Sequence, residues 1–194
     1  MQKSADASLL TKTFQLPGRI GYRFRQGVFA LSAGMDDFDW QFVQTHLNVA
    51  EMALFQQLPE YEQKHAVETA HKMLTLGHGR IDLDERKLAR IGLLHDIGKA
   101  ALHLTIFDKA VLVIFHKFIP WAYWFLAFLG RKENSFRPLR KFYVHRMHEK
   151  IGARLLARAG VESEVISAIA AHGEPLKHDD PPYVRLLKEA DAQN

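Results

Sequence analysis

The chain contains no cysteine. Disulfides, thiolate metal sites and cysteine nucleophiles are excluded, a reducing, cytoplasmic setting is expected, and any metal site must be built from histidine and carboxylate. The N-terminal stretch MQKSADASLLTKTFQ lacks an apolar segment, so it is not expected to be a secretory signal. A spanning helix needs about 18–20 uninterrupted apolar residues. In the apolar stretch 110–129 the runs are 110–115 and 121–129, broken by His116, Lys117 and Pro120. Also missing are a fixed-period repeat, a low-complexity tract, a run that alternates as a strand, a glycine-rich phosphate loop and a nucleophile elbow. No basic–aromatic stripe or RNA-binding signature argues for a nucleic-acid partner.

What remains is ordinary globular material. The 194 residues are 47% hydrophobic and 25% charged, enough for one domain with a real core. The net charge of +4 suits an anionic ligand or membrane surface. Helical periodicity runs almost throughout and predicts an all-α fold. Residues 1–35 read as an N-terminal tail or arm and 36–194 as a single domain, with an apolar helical insertion at about 104–135. Asp36, Asp37 and Asp39 lead a helix to Leu47, and Asn48 opens another that stops near Pro59. Pro59 starts a long helix whose buried stripe is Val67, Ala70, Met73 and Leu74, ended by Gly77 and Gly79. Asp84 is the expected N-cap of the next helix, with Leu88, Ile91 and Leu94–His95 on its inner face. Later helices are predicted at roughly 137–159, 162–172 and 182–192.

Chemistry concentrates around His95–Asp96. Eleven histidines and eleven aspartates give about 0.6 such dipeptides by chance, so the pair alone says little. Its context says more. The pair closes an apolar helix and is followed by Ile97, Gly98 and Lys99. Adjacent residues on a helix point about 100° apart, so both reach one cation only at a helix end, or serve two cations between them. Gly98 lets other backbone or a substrate come close.

LLHDIGK at 93–99 resembles the signature of HD-domain metal-dependent phosphohydrolases of the HDIG subgroup. QKHAVETA at 63–70 resembles that family's early helix and offers His65, and HEKIGARLL at 148–156 resembles its His-x-x-Ile-Gly segment and offers His148. ISAIAAHGE at 166–174 offers His172, and LLKEADAQ at 186–193 offers Asp191. The likeness runs from about Pro59 to the C-terminus; residues 1–45 and the insertion resemble only a looser pattern of small bacterial relatives. It implies an HD-domain helical fold and a metal site of His65, His95, Asp96, His148, His172 and Asp191.

Spacing agrees with that set. His148 is followed by Gly152 and Leu155 on one face, His172 continues the Val165, Ala168 and Ile169 stripe, Asp191 follows Leu187 by one turn, and His65 borders the stripe beside Ala66 and Val67. His145, about 60° round the helix, stays a rival to His148. His71 lies about 120° from His65 and should not join. His46, His78, His103, His116 and His178 read as surface or packing residues. Imidazole with carboxylate suits Fe, Mn, Co, Ni or Zn better than Ca, and six ligands are too many for one ion with an open position, so two divalent ions sharing Asp96 are expected.

The resemblance implies hydrolysis of a phosphodiester or phosphoanhydride in a small, nucleotide-like phosphate ester by metal-activated water, with Asp96 and Lys99 catalytic. Lys99 is expected to bind a substrate phosphate, or else to be a solvated helix end. The alternative function is a non-catalytic, metal-stabilised signalling or nucleotide-sensing module. The stretch 131–154 carries eight Lys/Arg against two Glu, either a solvated face or a positive rim for an anionic substrate or phospholipid. The segment 110–129 is expected as two short helices bent at Pro120. They either cover the cleft and extend the core, or make peripheral contact with the inner face of a membrane. Oligomeric state is not legible.

Overall fold

The computed structural model describes residues 34–102 and 104–193; most of the tail expected over 1–35, and His103, lie outside the described residues. The described part is helical, with no strand. Helix α1 (Asp37–His46) is capped by Asp36 and α2 (Val49–Phe55) by Asn48. Each is a reciprocal capping box closed by Asp39 or Glu51, which satisfies two otherwise orphaned backbone donors. Helix α3 (Glu60–Gly77) follows Pro59, and α4 (Glu85–Leu94) follows Asp84, whose carboxylate accepts from the amides of Arg86 and Lys87. A 3-10 turn (Ile97–Ala101) leads to the hairpin α5 (Ile106–Phe118) and α6 (Pro120–Leu129). The chain ends in α7 (Arg137–Arg158), α8 (Ser163–Ala171) and α9 (Pro182–Asp191). Each expected helix is present, and the expected bend falls at Pro120.

One core joins α1–α4 to α7–α9. Ala66, Val67, Ala70 and Met73 of α3 meet Leu88, Ile91 and Leu94 of α4, with Leu156, Ile169 and Leu187 closing the other side. Leu74, expected within the α3 stripe, sits at its edge and is only partly buried. Burying each such aliphatic side chain contributes about 1.5–3 kcal/mol. Arg90 ties three elements together: it donates to Glu51 Oε1 from Nη2 (2.6 Å) and Nε (3.1 Å), and to Glu162 from Nη1 (2.7 Å). A smaller cluster of Leu104, Leu112, Tyr123, Ala127 and Phe142 seats the α5–α6 hairpin on α7.

Two glycines set the crossings that later matter. At Gly92 a Cβ would run into the backbone of Ala70, so α4 can lie close on α3. At Gly98 it would overlap the carbonyl of His148, and Gly152 of α7 faces Gly98 directly. The His95–Asp96 segment and the His148 segment therefore touch backbone to backbone. Because the obstacle is backbone on both sides, Gly98→Ala is expected to destabilise the fold by about 1–3 kcal/mol. Chemical denaturation checks this, and a change under about 0.5 kcal/mol, the level of an ordinary surface substitution, would show that the contact is loose.

Candidate metal centre

Helix α4 stops where the chemistry begins. His95 is its C-cap, and Asp96 (φ −100°, ψ 9°) leaves helical geometry to open the 3-10 turn. That break lets two adjacent residues face one site. His172 caps the C-terminus of α8 in the same way, while His148 sits within α7. Helix C-termini carry partial negative charge, so two of the elements favour a cation between them.

The three histidines share one device. Nδ1 of His95 donates to the Gly92 carbonyl (2.8 Å), Nδ1 of His148 to the His145 carbonyl (2.8 Å), and Nδ1 of His172 to the Ile169 carbonyl (2.6 Å). With Nδ1 holding the hydrogen, Nε2 of a neutral ring keeps its lone pair, and in each case Nε2 points at Asp96. His95 Nε2 lies 3.3 Å from Asp96 Oδ2, and His65 Nε2 lies 3.9 Å from the same oxygen. His148 Nε2 is 3.2 Å and His172 Nε2 4.0 Å from Oδ1. Asp191 Oδ1 is 3.0 Å from His65 Nε2 and 3.6 Å from His95 Nε2. All six expected ligands thus meet at one place. The two oxygens of Asp96 divide them: His65 and His95, with Asp191 beside them, on one side, and His148 and His172 on the other.

Among the described residues three groups could hold a metal ion: His65, His95 and Asp191; His95, Asp96 and His172; and His148, Glu149 and His172. The fit to a cation rests on His95. Its Nε2 is buried and has no well-aligned hydrogen-bond partner, although Asp96 Oδ2 stands at 3.3 Å and Asp191 Oδ1 at 3.6 Å. Burial pushes the His95 pKa down, but Asp96 and Asp191 outweigh it and lift it to about 10, so a metal ion taking that nitrogen must displace a proton. Burial likewise pushes Asp96 up, and is overcome by His95, Lys99 and His148, leaving its carboxyl well below the usual range. Asp191 is held low in the same way by His65 and His95.

Glu149 and Glu62 were not read from the sequence. Glu149 Oε1 lies 3.6 Å from His148 Nε2; the available signal was an acid directly after a ligand in a basic stretch. Glu62 is buried one turn before His65 and binds the ammonium groups of Lys99 and of Lys109 on α5. Lys99, half-buried among these groups, also pairs with Asp96 Oδ2. It is not a solvated helix end.

The rival His145 is turned to another use. The hydroxyl of Tyr123 on α6 is hydrogen-bonded to His145 Nδ1 at 2.7 Å. The His145 ring is thus held by a side chain, where the three rings around Asp96 lean on carbonyls, and only its own carbonyl serves the site, by holding His148. His71 is remote, stacked on Phe42 at 4.1 Å between centroids.

Residues 63–193, about two thirds of the chain, match the family model for the HD domain. The chain belongs to the HD domain family. The matched span contains all six convergent residues. No curated protein and no solved structure matches the chain. Membership explains why histidine and aspartate fill the centre of this HD domain: the family points to metal-dependent phosphohydrolases, and the His/Asp groups have the chemistry to hold divalent ions.

His145 generates a pH signature. Burial first, then the charges of His148 and Lys99, lower its pKa to about 3. The unfolded chain takes up that proton near pH 6.5 and the folded one does not until about pH 3. Stability from this group is complete above about pH 6.5 and declines as pH falls from there towards 3. The melting temperature of His145→Gln should therefore fall less steeply over that interval than that of wild type. Parallel slopes would assign the acid loss to other groups.

Proposed function

We propose that this HD domain is a metal-dependent phosphohydrolase, of the HDIG type, that cleaves a phosphodiester or phosphoanhydride bond in a nucleotide-like substrate. The observation that carries the reading is the division of the Asp96 oxygens between two ligand sets. His65, His95 and Asp191 would hold one divalent ion and His148 and His172, with Glu149 at hand, a second, Asp96 shared between them. Ions there would act as Lewis acids, lowering the pKa of a bound water and offsetting phosphate charge. The protein's own part is orientation. The carbonyls of Gly92, His145 and Ile169 fix the ring tautomers, and Lys99 with the three rings keeps Asp96 ionised and aimed.

Substrate space adjoins the site. A hollow of about 370 Å³ opens beside His148 and Glu149, walled by His116, Tyr123 and Trp124 of the hairpin and by Arg146 and Lys150 of α7. Aromatic walls suit a flat base, and the arginine and lysine suit phosphate oxygens. Two histidines beyond a mononuclear set favour a diester or anhydride over a simple monoester.

The test is a turnover screen of phosphodiesters, dinucleotides and monoesters on protein loaded with Mn or Fe, alongside metal analysis. Two ions per chain and hydrolysis of a diester or anhydride are expected, with Asp96→Ala losing both. Retained metal with no turnover on any ester would favour the sensing module. For Lys99 the expected result is specific. An ammonium has no lone pair for a metal, so Lys99→Ala should keep its ions while turnover drops by on the order of tenfold or more. Unchanged kinetics would reduce Lys99 to a partner of Glu62.

A further inference from the structure

The α5–α6 hairpin has a second, outward face, shared with the hollow beside His148 only at Trp124 on its edge. On α6, Tyr123 and Ala127 are buried, while Trp121 (76% exposed), Trp124, Phe125 and Phe128 form a stripe at i, i+3, i+4 and i+7 facing outward. Phe107, Ile114 and Phe118 (70% exposed) continue it on α5. Cations rim the stripe: Arg131 lies over Phe128 at 3.8 Å, Arg146 over Trp124 at 3.7 Å and Lys117 over Phe118 at 5.8 Å. Next to Phe128, Arg131 opens onto a hollow of about 280 Å³ also lined by Arg140, Arg154 and Arg158, with Glu133 the acid among them. Two of these guanidiniums donate to carbonyls, Arg131 to Phe128 (3.0 Å) and Arg140 to Arg131 (3.5 Å). Among the described residues none of the four forms an ion pair with a carboxylate.

We propose that this face docks on an anionic phospholipid surface, the aromatic stripe entering the headgroup boundary and the arginine hollow taking a lipid phosphate. Charge selects the occupant. Setting aside Lys109 and Lys141, which pair with Glu62 and Asp108, residues 110–140 carry five Lys/Arg and one Glu, so a second copy of the chain would set cation against cation. A bilayer offers both things the face needs, apolar depth for Trp and Phe and phosphate for arginine. The helices are 13 and 10 residues, about 20 and 15 Å, and no described helix is long and apolar enough to cross a membrane, so the hairpin lies in the surface plane. The inference does not rest on the hydrolase reading.

The test is co-sedimentation of the full chain with phosphatidylcholine vesicles, with and without phosphatidylglycerol. Binding is expected on phosphatidylglycerol vesicles only, weakening as salt is raised. Trp121→Glu with Phe128→Glu, and separately Arg154→Gln with Arg158→Gln, should each weaken it by on the order of tenfold, with circular dichroism and metal content unchanged. Inorganic phosphate at millimolar concentration should not displace the protein. Equal binding to both vesicles, no binding, or binding untouched by both variant pairs overturns the proposal. A wild-type dimer that Trp121→Glu with Phe128→Glu dissociates reassigns the face to a second copy. Displacement by inorganic phosphate reassigns the arginine hollow to a soluble anion.

Discussion

A carboxylate buried at the junction of five helical elements is the constraint around which this domain is arranged. Left alone, the Asp96 charge would cost several kcal/mol or be lost to protonation. It is instead surrounded by donors that arrive from different places: His65 from α3, His95 from the end of α4, Lys99 from the 3-10 turn, His148 from α7 and His172 from α8. Each element that carries a partner is also a wall of the core. The stability of the domain and the assembly of the centre are thus hard to separate, and the same packing that buries Leu94 and Ile169 aims the imidazoles that follow them.

Orientation comes from backbone, which is why it is durable. A histidine leaning on the carbonyl three residues back needs no further side chain to choose its tautomer. At two of the three positions that carbonyl belongs to the last turn of a helix and lacks an intrahelical partner. The same bond therefore satisfies the helix end and prepares the ligand. His145 shows the contrast: identical in kind, one turn from His148, it is drawn to Tyr123 and leaves the centre to its neighbour.

The hairpin α5–α6 connects the interior to the surface. Lys109 reaches Glu62 behind the centre, Tyr123 anchors on His145, and Trp124 walls the hollow beside His148. Its outer face is apolar as well, which a helix pair serving only to extend the core would not need. From sequence, covering the cleft and meeting a membrane stood as rivals; the hairpin's inner side lines the hollow beside His148, and its outer side is the one proposed for a lipid surface.

Much of this domain was legible from the order of residues. Helix periods, Asp84 as a cap, the breaks at Gly77 and Pro120, and the family resemblance that singled out six ligand candidates all depend on local spacing, and local spacing is what hydrophobic periodicity and capping chemistry report. Tertiary structure decided the rest. That Gly98 must be bare follows from the His148 carbonyl fifty residues away, and that Glu62 and Glu149 belong beside the centre follows from packing between α3, α5 and α7. The choice between His145 and His148 turned on a hydroxyl from another helix, and the place of Lys99 on two buried carboxylates. Sequence determines which face a side chain takes on its own helix; only the folded chain determines what that face meets.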